Sequence, residues 1–234
     1  MSRQLEICAA SLPSALAAQA GGAHRIELCQ HLEQGGITPS YGLIRETLQR
    51  LHIPVFVLIR PRSGGFVYSA DELAIMRADI ELCRDLGAAG VVLGALDEAG
   101  NVDVAACQDL IGHAGAMEIT FHRAFDACPD QSRALEEVIS LGCRRVLTSG
   151  GHPTAEAGQQ QLAALVKQAT GRISVMPGAG VSAVNIQALM AHTSAREFHT
   201  SAKRLLPADP AAGLFRAERF ETDAALVAEL VALL

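Results

Sequence analysis

The sequence has no tryptophan, two tyrosines and seven phenylalanines, so its interior must be built from aliphatic side chains rather than aromatic anchors. Only two lysines occur, Lys167 and Lys203. Neither falls in a segment of strand character, which leaves no interior amine for Schiff-base chemistry. Positive charge is also scarce: 19 Lys and Arg against 25 Asp and Glu give a formal net charge of −6, the wrong sign for binding nucleic acid by counterion release. No apolar run is long enough to span a bilayer, the longest, 224–234, being interrupted by Glu229. The small residues of 14–20 do not make a leader peptide, because Glu6 sits where an apolar signal core would fall, and the segment reads as mature sequence. The six cysteines include no Cys-x-x-Cys and no even spacing, which argues against a disulfide framework and fits a reducing cytosol. Gly-x-Ser-x-Gly, His-Glu-x-x-His and Gly-x-x-x-x-Gly-Lys are missing as well. A soluble, cytoplasmic chain with small molecules, metals or proteins as partners, and no nucleic acid or membrane, is the expectation.

What is present is alternation. Half of the 234 residues are hydrophobic, and short apolar segments recur at 5–8, 25–29, 55–60, 91–94, 117–122, 145–149, 173–176 and 197–200. Between them lie stretches of helical spacing, clearest where Leu73, Met76, Ile80 and Cys83 follow the capping box of Ser69 to Glu72. Glycine marks the joints: Gly22, Gly87, Gly115, Gly142 and Gly171 each stand two to four residues ahead of a candidate strand, where a helix ends in a left-handed turn. Eight such modules average roughly 29 residues, close to a βαβ unit, and together match the ~250 residues of a (β/α)8 barrel. An open doubly wound sheet competes, but it needs a Gly-x-Gly-x-x-Gly turn after the first strand, and residues 9–14 are not that turn. The expected architecture is one (β/α)8 barrel domain over 1–234, with a long loop at 205–213 and a last helix from about Asp223.

Parallel strands buried on both faces are apolar, so their polar residues are the informative ones. With a period of two, Glu6 and Cys8 share one face of the first strand and Glu27 and Cys29 one face of the second, opposite Leu5, Ile7, Ile26 and Leu28. A carboxylate facing the helices would be costly, so both Glu should point into the barrel near its mouth. The same reasoning turns Arg60, His122 and His199 inward. Catalytic groups of barrel enzymes sit at these C-terminal strand ends, and Glu6, Glu27, Arg60, His122 and His199 are the candidates. A buried ion network without chemistry is the competing reading.

Cys8 and Cys29 end neighbouring strands at matching heights, about 4.8 Å apart by sheet geometry, and two thiolates so placed could share a soft ion such as Cu(I) or Zn(II). Cys128 could reach the same mouth, whereas Cys83, Cys107 and Cys143 read as small buried hydrophobes. The loops after strands seven and eight carry Gly178, Gly180 and Ser201, where many barrels hold an anion on backbone N–H groups. Thr148 to Gly151 offers a third such nest. An isomerase, lyase or hydrolase acting on a small phosphorylated or carboxylated molecule is thus the alternative to a metal protein. In that alternative Arg60 pairs with a second negative group and Glu27, His122 or His199 move protons.

The strings Glu6-Ile-Cys8, Arg25-Ile-Glu-Leu-Cys29, Gly35-Gly-Ile-Thr-Pro-Ser40, Ile59-Arg-Pro-Arg62, Phe121-His-Arg-Ala-Phe-Asp126, Leu147-Thr-Ser-Gly150, Gly178-Ala-Gly180 and Phe198-His-Thr-Ser-Ala202 resemble the CutC family, linked to copper homeostasis. The resemblance runs from about residue 3 to 202, and the tail beyond it is shorter than in familiar members. It implies a (β/α)8 barrel, a cytoplasmic homodimer or larger homo-oligomer, and Cu(I) bound by the cysteines that match Cys8 and Cys29.

Overall fold

Each of the five joint glycines adopts a positive φ, from 62° at Gly115 to 86° at Gly22, so the chain turns sharply from helix into strand at the predicted places. A computed structural model describes residues 3–207, 213–214 and 218–234. Its strands are β1 (Gln4–Ala9), β2 (Arg25–Leu28), β3 (Val55–Leu58), β4 (Gly90–Leu93), β5 (Glu118–Phe121), β6 (Arg145–Thr148), β7 (Ser174–Pro177) and β8 (Glu197–Thr200). They alternate with α1 (Leu12–Ala20), α2 (Tyr41–Arg50), α3 (Ala70–Asp85), α4 (Val104–His113), α5 (Gln131–Ser140), α6 (Gln159–Ala169), α7 (Ile186–Thr193) and α8 (Ala224–Ala232). All eight strands are parallel, in the order β7-β6-β5-β4-β3-β2-β1-β8, which makes a nearly closed (β/α)8 barrel. At the seam, Thr200 donates its hydroxyl to the Val181 carbonyl at 2.7 Å.

Local chemistry sets the ends. Ser69 and Glu72 form the capping box of α3 as expected, and Asp223 caps α8 by accepting from the Ala225 N–H. The tail is tied down by β9 (Lys203–Leu205) pairing antiparallel with β10 (Phe220–Thr222), and Thr222 donates its N–H to the Ser14 hydroxyl at 3.1 Å. The loop expected over 205–213 therefore starts at the end of β9, and its residues 208–212 lie outside the described residues. Among the described residues, no helix is long and apolar enough to cross a membrane.

The strand period divides the protein into two apolar layers. Leu5, Ile7, Ile26, Leu28 and Val57 face outward and pack with the helices in the large core. Inside the barrel lies a separate small cluster of Cys8, Cys29, Phe56, Leu58 and Val92. Phe56 fills the centre, and the register pairs it with Gly90. A β-carbon at Gly90 would collide with the Phe56 ring and the Glu118 carbonyl, so this glycine makes room for the ring. The guanidinium groups of Arg25 and Arg145 lie 5.8 and 4.7 Å from the ring centroid, within cation–π range.

Candidate functional site

The deepest polar layer is an ion network. Arg25 donates from Nε to Glu6 at 2.5 Å and lies 2.6 Å from Glu197 through Nη2. Arg145 reaches Glu197 at 3.0 Å and pairs with Glu118 toward the bottom of the barrel. His199 Nδ1 meets Glu6 at 2.7 Å. Burial alone would raise the Glu6 carboxyl, but Arg25 and the His199 hydrogen bond outweigh it and hold it at about 2. Burial would lower His199, yet Glu6 and Glu27 leave it raised. Glu6 was expected near the mouth; it points inward but stays beneath it, because the β1 register sets it beside Arg25 and His199. Arg25 and Arg145 were not singled out from the sequence, although the period of two puts Arg25 on the face of Glu27 and Cys29.

Above this layer the barrel opens into a cavity of about 780 Å³ lined in part by Cys8, Glu27, Arg60, Phe66, His122 and His199. The β1–β2 register corrects the expectation of matching cysteine heights: Cys8 lies opposite Glu27, and Cys29 follows the last residue of β2. The thiols nevertheless meet, with Sγ atoms 3.5 Å apart. Cys8 faces the cavity while Cys29 is fully buried behind it, beside Gly36. The Cys8 thiol also donates to Glu27 Oε1 at 3.6 Å, and Glu27 Oε2 has no partner among the described residues. Its hydrogen bond with Cys29, burial and the charge of Glu27 push the Cys8 thiol well up. Burial also raises the Glu27 carboxyl against the opposing charge of His199. Cys8, Glu27 and His199 offer donor atoms within 4.8 Å of one another.

The opposite wall holds Arg60 and His122 around Phe66. Arg60 reaches the carbonyls of Gly36 and Gly64 at 2.8 and 2.6 Å, so part of its donor capacity ties the loops after β2 and β3. His122 accepts the Ala124 N–H on Nδ1 at 3.2 Å. Burial and the charge of Arg60 lower its pKa to about 3. With Nδ1 occupied by the Ala124 N–H, His122 presents its other ring nitrogen, Nε2, as an N–H donor.

The loops divide as well. Gly180 and Ser201 line the cavity. Ala179 and Gly180 turn in succession through φ of 70° and 77°, and the N–H groups of Ala179, Gly180 and Val181 have no partner among the described residues. Gly178 does not line the cavity. A β-carbon there would stand 2.5 Å from Leu147 Cδ1, so its role is packing. The nest at Thr148 to Gly151 is real but filled by the chain itself: Asp126 accepts from Thr148 Oγ1 at 2.5 Å and from the N–H groups of Ser149 and Gly151 at 3.0 Å each. Cys128 points its thiol at the Ala124 carbonyl, 3.8 Å away, and is no part of the mouth. Cys83, Cys107 and Cys143 are buried in the outer layer. Arg123 is a rim residue that the sequence reading missed; Asp126 and Ser149 hold it over the cavity at 2.8 and 3.0 Å.

Comparison with known proteins shows the family and the fold. The CutC family profile matches residues 3–204. A CutC family protein of Xylella fastidiosa strain Temecula1 is 56% identical over 208 residues, covering 89% of this chain and 78% of its own. A crystal structure from Streptococcus agalactiae, described as a candidate copper homeostasis protein CutC, superposes with a TM-score of 0.82 at 36% identity, covering 85% of this chain and 98% of that one. Thiamine phosphate pyrophosphorylase from Pyrococcus furiosus shares the fold alone, with a TM-score of 0.62 at 15% identity over 98% of this chain and 94% of that one.

Proposed function

The chain belongs to the CutC family, and from that premise we propose that it is a cytoplasmic copper-homeostasis protein that takes Cu(I) as cargo on the thiolates of Cys8 and Cys29. The observation that carries the reading is the contact of two buried thiols at 3.5 Å with one of them facing an open cavity. Thiolates are soft ligands that select Cu(I), and a reducing cytosol keeps them available. His199 and Glu27 stand beside them, and the partnerless Glu27 Oε2 is a base that accepts a thiol proton as the ion binds. A set of two sulfurs, an imidazole and a carboxylate also suits Zn(II), so the metal must be tested, not assumed. Because the Cys8 thiol is raised, the metal displaces protons and affinity rises with pH.

The test is competition against a Cu(I) chelator under reducing conditions. Cys8→Ser and Cys29→Ser should each weaken binding by at least about tenfold, the loss of one soft ligand, and the double variant should abolish it. Wild-type affinity in the double variant, or preference for Zn(II) under the same conditions, would overturn the reading. On the family's account the protein works as a symmetric homo-oligomer, a dimer being the commonest form; light scattering giving only the 24.6 kDa chain would contradict that.

One observation favours a second reading. A cavity of about 780 Å³ far exceeds what an ion needs and matches a small-molecule site, and Glu27, Arg60 and His122, each with a buried polar atom that has no partner among the described residues, line it. In this reading the mouth binds a phosphorylated or carboxylated metabolite, with Gly180 and Ser201 at its anion end. A thermal-shift screen of anionic metabolites tests it, and no saturable stabilisation by any of them would end it.

A further inference from the structure

Burying a charge without a counter-charge is expensive, and the wall made by β3 and β5 does so. Arg60 is 6% exposed and, among the described residues, has no carboxylate within ion-pair distance; its hydrogen bonds go to the carbonyls of Gln34, Gly36 and Gly64. Its Nε–H has no partner among the described residues. His122, 4% exposed, stands beside it. The Nδ1 of His122 accepts from Ala124, so the ring proton resides on Nε2, and that N–H has no partner either.

The ring cannot turn away from the cavity. Its Nδ1–Cε1 edge lies against Gly94, where a β-carbon would stand 2.8 Å from both atoms, and Phe66 lies 5.0 Å from its centroid. Phe66 also lies 5.0 Å under the Arg60 guanidinium, which joins the two side chains into one wall. A buried cation without a counter-charge and a buried neutral donor, both lining the same cavity, define the complement: an acceptor carrying one negative charge.

We infer that Arg60 and His122 form a carboxylate subsite, with Phe66 as its floor, for a small organic acid bound in the barrel mouth. The inference rests on the small-molecule reading of the cavity and names the group recognised there. Planar carboxylate oxygens suit two donors and a single positive charge, whereas phosphate, with more oxygens and charge, suits the backbone N–H groups near Gly180 on the other side. His122 remains neutral at physiological pH because of burial and Arg60, so it supplies a hydrogen bond without adding a second charge.

The test is NMR of the full chain with 15N-labelled histidine, titrated with glycolate, pyruvate and, separately, inorganic phosphate. Glycolate or pyruvate should shift the His122 Nε2–H resonance saturably, while phosphate leaves it unmoved. His122→Phe should weaken carboxylate binding by about tenfold or more, as loss of a hydrogen bond to a charged group does, and His122→Gln, which keeps an N–H near the Nε2 position, should restore part of it. Arg60→Met should abolish binding; since Arg60 also ties loops, the His122 pair carries the test if that variant misfolds. Carboxylate binding that is indifferent to His122→Phe, or a phosphate response at His122, would overturn the subsite and leave the small-molecule reading standing. Failure of every anion to bind would overturn both.

Discussion

Replacing Arg25 by Met keeps a long unbranched side chain in the barrel but removes the charge that faces Glu6 and Glu197. Arg25 is 2% exposed and Glu6 fully buried, so water cannot replace the lost partner. In the wild type Glu6 is held at about 2 against an ordinary value of 4.5; at ~1.36 kcal/mol per unit this corresponds to about 3 kcal/mol of native-state stabilisation near neutrality. Breaking a buried pair costs roughly 3–5 kcal/mol, and the variant should fall in that range. The sign with pH follows. A lowered carboxyl stabilises above its unfolded value of 4.5 and loses that contribution as pH falls through about 2. Without Arg25, only the His199 contact is left to oppose the burial that raises Glu6, so the variant's deficit should be largest near pH 7 and shrink as acid protonates the group. Urea unfolding of both proteins at a series of pH values measures this. A deficit below about 1 kcal/mol at neutrality, within the range of an exposed pair, or one that does not change with pH, would refute the argument.

The His199–Glu6 pair should show the opposite dependence: a raised histidine stabilises fully below its unfolded value of 6.5 and loses that contribution as pH rises through its higher folded value. Glu6→Gln should bring the NMR-monitored His199 titration down, and an unchanged titration would contradict the contact. Gly90→Val should destabilise by more than about 2 kcal/mol through overpacking, and Phe56→Ala should not fully rescue it because the Glu118 carbonyl is also struck; a neutral effect in chemical unfolding would show the centre to be loose. Asp126→Ala empties the Thr148 to Gly151 nest, costing about 2 kcal/mol for unsatisfied N–H donors. Millimolar inorganic phosphate should raise the melting temperature of that variant and leave the wild type unaffected; an equal response in both would show that Asp126 does not fill the nest.

The barrel was readable because its signals are local and repeated. Glycine joints, the Ser69 box and the two-residue strand period each reflect the backbone of one module. The same period identified which strand residues face inward, including Glu27, His122 and His199. What it could not supply was height and register. Cys8 and Cys29 were placed level, whereas the ladder sets Cys8 against Glu27, and Glu6 sank below the mouth for the same reason. Register depends on pairing between distant segments, which no single strand encodes. Arg25 and Arg145 lie within reach of the period argument, which was applied only to the carboxylates, histidines, cysteines and Arg60. Arg123 and the Asp126 nest were hidden more deeply, since loops carry no period and their contacts span 22 to 26 residues of chain.

The central claim is that Cys8 and Cys29 together hold Cu(I), and copper-edge X-ray absorption of the protein loaded with one equivalent of Cu(I) under reducing conditions tests it most directly. The account predicts a spectrum of Cu(I) with two sulfur neighbours, lost in the Cys8→Ser, Cys29→Ser double variant while the Cys83→Ser, Cys107→Ser, Cys143→Ser triple variant keeps it. Copper surrounded only by nitrogen and oxygen, or a sulfur signal that survives in the double variant, would contradict it.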